Sequence, residues 1–158
     1  MEFEQLKLGN QLCFPVYAAS RLIIREYQPY LDKLGITYPQ YLVLLVLWET
    51  DRVSVNEIAN KLILNTNTVT PLLKRMESQG ILKRQRSGND ERKVIVELAE
   101  MGRQLQSEAA GIPENIAKGL ISGTMNIEEL INLKEKLDLL ISFLKEKTRP
   151  DEQTSGHG

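Results

Sequence analysis

Residues 54–98 read SVNEIANKLILNTNTVTPLLKRMESQGILKRQRSGNDERKVIVEL, and the places where this stretch changes period decide the fold. Ser54-Val55-Asn56-Glu57 is a capping box, in which the serine hydroxyl and the glutamate carboxylate satisfy each other's free backbone N–H groups. Ile58, Ala59 and Leu62 follow at helical spacing. Asn65-Thr66-Asn67 is a polar break that opens a second helix carrying Val69, Leu72, Leu73 and Met76, stopped by Gly80. Pro71 has no N–H and suits a first turn, which places the expected start of that helix around Asn67 or Thr68. Past Gly80 come two β-rich runs, Ile81–Arg86 and Val94–Leu98, on either side of Ser87-Gly88-Asn89-Asp90. They predict a hairpin. Two short helices on a tight polar link, then a hairpin, form a helix-turn-helix with a wing.

Outward from this centre the chain is helical. Leu12, Val16, Ile23, Tyr27, Tyr30 and Leu31 recur at three- and four-residue spacing over Leu8–Leu34. Pro15 requires a bend or a start near Phe14, Pro29 predicts a kink or break near Gln28, and Gly35 is the stop. Thr37 caps a second helix with Pro39 in its first turn; its run YLVLLVLWE is apolar nearly all round and is expected at the buried centre. After Leu98, the stripe Met101, Leu105, Ala109, Ile112, Ile116 and Leu120 predicts a helix kinked at Pro113. Asn126 and Glu129 cap a last helix striped by Leu130, Leu133, Leu137, Leu140 and Leu144. The expected class is mainly α, a winged helix-turn-helix in the order α-α-α-α-β-β-α-α with long N- and C-terminal dimerisation helices. Residues 37–99 are the expected DNA-binding lobe, 1–34 and 101–147 the dimerisation region, and 148–158 a flexible tail. Apolar stripes with no further domain to cover them call for a second copy.

Composition narrows the chemistry. The 158 residues hold one cysteine, Cys13, and one histidine, His157 in a polar tail, which excludes a disulfide framework, a cysteine-rich zinc site and histidine-based triads. No apolar run approaches the roughly 18 residues of a membrane span, and the N-terminus lacks the order of a secretory signal. A cytoplasmic, non-enzymatic protein without cofactor, metal or membrane partner is expected. Net charge is −1, yet Lys74, Arg75, Lys83, Arg84, Arg86, Arg92 and Lys93 stand against only Glu77, Asp90 and Glu91 between positions 74 and 93. A locally basic stretch on an acidic body suits a phosphate-contacting surface, though charge alone also fits a solvated face.

Position in the fold gives that charge a use. Thr66, Asn67, Thr68 and Thr70 head the second helix of the pair, where base edges would be met, and Lys74 and Arg75 follow where phosphates would be. Some of these polar residues also serve as caps. Arg86 and Arg92 flank the hairpin turn, and an arginine on such a wing can enter a narrow A·T-rich minor groove. Asp90 is expected to hold the loop through an arginine or a backbone N–H. With Pro71 and Arg84 these residues form the expected DNA-contact set, and the partner is double-stranded DNA.

Asp90-Glu91-Arg92-Lys93-Val94-Ile95-Val96-Glu97-Leu98-Ala99 resembles the wing of the MarR family of winged-helix repressors, which usually has Thr at the position of Ala99. Thr68–Glu77 resembles the recognition helix of its peroxide-sensing branch. The resemblance covers Leu6–Lys147 and implies an obligate helical homodimer with two wings on a pseudo-palindromic operator. Gln11-Leu12-Cys13-Phe14, Tyr17–Arg21 and Ile36–Tyr41 closely resemble the organic-hydroperoxide-sensing repressors of that family, in their one-cysteine form.

An isolated cysteine is usually a small buried hydrophobe. A thiol at a helix N-terminus is favoured as thiolate, and Tyr17 lies four residues on as a same-helix neighbour. Tyr27 is 14 residues beyond Cys13, about 21 Å on one continuous helix, so it reaches the sulfur only from another protomer or after a chain reversal. The resemblance implies that Cys13 is oxidised by an organic hydroperoxide to a sulfenic acid, and that Tyr27 and Tyr38 of the opposite subunit hydrogen-bond its sulfur. With no second cysteine, capture by a low-molecular-weight thiol, sulfenamide formation and over-oxidation remain the open fates. Two rivals stand beside this reading. One is a regulator released by a small lipophilic or phenolic ligand among Tyr17, Tyr27, Tyr30 and Trp48, with Cys13 structural. The other, a thiol peroxidase, has no arginine placed beside Cys13.

Overall fold

The computed structural model describes residues 3–148 apart from 91, 122 and 124. The expected tail lies outside these residues beyond Thr148. The chain divides into two compact units, 1–113 and 114–158.

In the first unit, 3-10 turns at Glu4–Leu6 and Leu8–Asn10 precede α1, Cys13–Leu34. Of the two alternatives at Pro15 the start near Phe14 is the one found: the helix begins at Cys13, which puts Pro15 in its first turn, where no intrahelical N–H is needed. Of the kink or break expected near Gln28, the break is absent: α1 runs unbroken through Pro29 to Gly35, which caps it at φ 66°. One missing N–H is tolerated because the rest of the ladder and the buried Leu31 hold the turn. The second helix, α2 (Tyr38–Glu49), opens with a reciprocal capping box between Thr37 and Gln40. It buries Gln40, Tyr41, Val43, Leu44, Val46 and Leu47, the centre of the core.

The helix-turn-helix pair is α3 (Val55–Leu62), capped by Ser54 and Glu57, and α4 (Thr66–Ser78). Ile63 at φ 56° turns the chain between them. Asn65 is the cap of α4, accepting the Asn67 N–H at 2.8 Å. The helix therefore starts at Thr66, one or two residues before the expected position, and Pro71 falls in its second turn. The stop is Gly80, at φ 74°, a backbone conformation that a side chain disfavours.

The hairpin is β2 (Leu82–Arg86) against β3 (Val94–Leu98), in register from Leu82↔Leu98 to Arg86↔Val94. A third strand, β1 (Val53–Ser54), was not expected; it pairs antiparallel with β3 through Val53↔Val96, giving the order β1-β3-β2. The stripe after Leu98 is two helices, not one kinked helix: α5, Glu100–Ala109, and α6, Ile112–Ile121. Pro113 is the second residue of α6, where its ring begins a helix more readily than it continues one.

Ala99 occupies the N-cap of α5 in extended backbone and makes no side-chain cap bond. Ala99→Thr adds the missing acceptor and is expected to stabilise the fold by about 0.5–1 kcal/mol. A thermal melt reads this as a rise in Tm; an unchanged or lower Tm refutes it. The second unit holds the rest of α6 and α7, Ile127–Lys147, which has a capping box of Asn126 and Glu129 and no buried residue.

Candidate DNA interface and thiol site

Thr66, Asn67, Thr68 and Pro71 are exposed on the first turns of α4, and Thr70 is half-buried. Lys74 and Arg75 are exposed one turn further on. A cleft of 750 Å³ separates the start of α4 from the wing, lined by Thr66, Thr70, Ser87, Asn89, Asp90, Arg92 and Lys93 and by the N-terminus of α3. Capping residues and contact candidates thus share one face.

In the wing, Asp90 accepts the Arg92 backbone N–H at 3.0 Å, so of the two expected roles the backbone one is realised. The Asp90 carbonyl takes the Lys93 N–H at 2.9 Å, and Ser87 donates its N–H to the Lys93 carbonyl at 2.8 Å. These bonds close the turn and leave the Arg92 side chain exposed. Arg86 is exposed on the other strand.

Arg84 is occupied differently. Its Nε and Nη2 donate to Glu77 Oε2 at 2.9 and 2.7 Å, and its backbone N–H donates to Glu77 Oε1 at 3.0 Å. Among the described residues, it is the only cation between positions 74 and 93 held in an ion pair. Its guanidinium ties the recognition helix to β2, while the neighbouring cations face solvent. The Arg84 hydrogen bonds hold the Glu77 carboxyl below its usual range. Hydrogen bonds from Ser54 do the same for Glu57. A carboxyl whose folded pKa is depressed adds stability above its unfolded value and loses it as pH falls through the folded one. Wild type is therefore expected to exceed Glu77→Gln in urea midpoint near about pH 7, with the gap narrowing as pH falls below the usual glutamate range. A gap that does not depend on pH refutes the ionic role.

Cys13 is the first residue of α1 and is exposed. Tyr17 is exposed; its hydroxyl accepts from Arg21 Nη1 at 2.7 Å, with the guanidinium carbon 5.5 Å from its ring centroid. Tyr27 and Tyr38 meet edge to face, with centroids 5.2 Å apart. Because α1 is continuous, Tyr27 stands about 21 Å from Cys13 within the same protomer. The structure thus joins Tyr27 with Tyr38 but neither with Cys13. Desolvation raises the pKa of both phenols, and for Tyr38 the neighbouring Tyr27 adds to it, so both remain O–H donors at neutral pH.

Sequence reasoning missed the continuation of this pair. Tyr41 lies 5.8 Å from Tyr27 and 6.2 Å from Trp48 between centroids. The Trp48 Nε1–H donates to the Gly102 carbonyl at 2.9 Å. The spacing of Tyr38, Tyr41 and Trp48 along one face of α2 was the available signal. Among the described residues, no helix is long and apolar enough to cross a membrane.

The family model for the transcriptional regulators SarA/Rot matches residues 25–109. The organic hydroperoxide resistance transcriptional regulator of Bacillus subtilis (strain 168) is 47% identical over 146 residues, 92% of this chain and 97% of its own. A structure of reduced AbfR bound to DNA, a protein of Staphylococcus epidermidis, is 40% identical with a TM-score of 0.71, covering 91% of this chain and 99% of that one. The apo form of MarR from E. coli shares the fold at a TM-score of 0.66 and 21% identity, over 82% of this chain and 96% of that one.

Proposed function

This chain belongs to the MarR/SarA-type winged-helix transcriptional regulators, in the branch of the organic hydroperoxide resistance regulator, and on that premise we propose that it is a DNA-binding repressor switched by oxidation of Cys13. The observation that carries this reading is the placement of Cys13 and the tyrosine pair. Cys13 and Tyr27 sit about 21 Å apart on one unbroken helix, and Tyr38 packs on Tyr27 from α2, so a two-fold mate offers its Tyr27 and Tyr38 to the Cys13 that this protomer cannot reach itself. Apolar side chains fit such a mate. Leu12 just before α1 and Phe14, Val16 and Leu22 within it are exposed, as are Ile131, Leu139, Phe143 and Leu144 of α7, and a second copy covers them.

The dimer presents two α4 helices to successive major grooves, with Arg86 and Arg92 of each wing beside the minor groove and Lys74 and Arg75 near phosphates. In the switching step the Cys13 thiolate attacks the terminal oxygen of an organic hydroperoxide. The O–O bond breaks, the alcohol leaves with a proton, and the sulfur becomes a sulfenic acid. A low-molecular-weight thiol then forms an S–S bond with that sulfur and expels water. The new bulk displaces the tyrosine donors. Half-sites one DNA turn apart make affinity sensitive to a small change in helix separation.

Fluorescence anisotropy on the DNA upstream of the chain's own gene tests the reading, with cumene hydroperoxide and glutathione added to wild type and to Cys13→Ser. Wild type is expected to lose about tenfold or more in affinity, and Cys13→Ser to keep it. Binding that survives in both refutes the thiol switch and moves the input to a small lipophilic ligand.

A further inference from the structure

We propose that Gln40 is a positioning residue for DNA binding: through its hydrogen bond to Gln79 it couples the packing of the Tyr27–Tyr38 pair to the seating of recognition helix α4. Among the described residues Gln40 is the only buried polar side chain, 2% exposed, in a helix otherwise buried through apolar groups. An amide in that position is costly unless every polar atom is matched. Here both ends are matched. Oε1 accepts the Thr37 backbone N–H at 2.9 Å, and Nε2 donates to Gln79 Oε1 at 2.7 Å.

The backbone donor settles the orientation of the amide. Thr37 N–H can only donate, so it claims Oε1 of Gln40 and directs Nε2 at Gln79, which must answer with an oxygen. Gln79 is the C-cap residue of α4; its own N–H bonds the Arg75 and Glu77 carbonyls. One hydrogen bond across 39 residues of sequence therefore joins the first turn of α2 to the last turn of α4. Tyr38 is the first residue of that same α2 turn and Gln40 the third. A displacement of Tyr38 that shifts this turn shifts Gln40 with it, and α4 either follows or leaves a buried donor unmatched. Neither Gln40 nor Gln79 faces the wing cleft, so their effect on DNA is through the position of α4.

The inference rests on the thiol-switch reading only for what displaces the tyrosines, and its test uses no oxidant. DNA affinity of the reduced, full-length protein is measured by anisotropy for Tyr38→Leu, Gln79→Met and the double variant, with Gln79→Glu as the variant that keeps an acceptor. Residues without mutual contact normally combine additively, within about twofold. We expect Tyr38→Leu to weaken binding in the wild-type background by about threefold or more beyond its effect in the Gln79→Met background. Gln79→Glu retains this coupling. A difference under about threefold overturns the proposal, as does Gln79→Glu behaving like Gln79→Met. Tyr38→Phe replaces Tyr38→Leu if circular dichroism shows the latter unfolded. Coupling that persists while peroxide leaves wild-type binding unchanged defeats the thiol switch alone; absent coupling beside a working peroxide response defeats this proposal alone.

Discussion

Gly102→Val is expected to destabilise the protein by about 3 kcal/mol or more. A Cβ at Gly102 would stand 2.3 Å from the Ile81 carbonyl oxygen and 3.0 Å from Leu98 Cδ2. The oxygen is backbone and already accepts the Ala99 N–H at 3.0 Å, so it has no rotamer by which to move aside. From the other side, Trp48 donates to the Gly102 carbonyl, which keeps the first turn of α5 from backing away. Gly102→Ala meets the same contact. Its helix propensity returns only about 1 kcal/mol, less than the overpacking cost of up to about 3 kcal/mol, so it too should destabilise. Urea titration checks both variants through the midpoint. A Gly102→Ala midpoint at or above wild type would show that α5 does not rest on Ile81.

Arg92→Ala is expected to weaken DNA binding by about 1–3 kcal/mol, roughly five- to a hundred-and-fiftyfold, without altering the oligomeric state. The Asp90 carboxylate holds the Arg92 backbone N–H, so the turn is built without the guanidinium, and its removal leaves the wing's hydrogen bonds in place. Arg84→Ala serves as the contrast. That guanidinium is spent on Glu77, so the loss should fall on the urea midpoint more than on DNA. A phosphate contact by Arg92 would also lower the salt slope by about one unit, whereas a minor-groove contact would relax A·T preference. Affinity equal to wild type at every salt concentration would remove the wing from the interface.

The reading of the helices from sequence succeeded where the signal was local. Thr37, Ser54 and Asn126 are all caps, and the expected partners Glu57 and Glu129 stand at the third helical residue; Gln40 completes the box of Thr37, which the sequence reading names only as a cap. A capping box is complete within four residues, so nothing distant can override it. Prolines misled in both directions. Pro29 suggested a kink or a break, and the helix runs on through it without a break, while Pro71 suggested a later start to α4 than the Asn65 cap allows. Each costs one hydrogen bond, which the surrounding ladder and core can absorb. Strand β1 gave no signal because two residues have no period; they are a strand only because β3 lies beside them.

The sequence by itself determined the winged helix-turn-helix, the basic stretch of residues 74–93 and the presence of Cys13, Tyr27 and Tyr38, since caps, periodicity and residue chemistry are properties of short segments. Tertiary structure alone decided which side chains have partners. It assigned Arg84 to Glu77, joined Tyr27 to Tyr38, set Gly102 against Ile81 and bound Gln40 to Gln79. Most of these pairs form between separate elements, and the core that brings them together comes from nonpolar burial, which specifies no particular partner. Directional polar bonds then select the partners once the elements are in place.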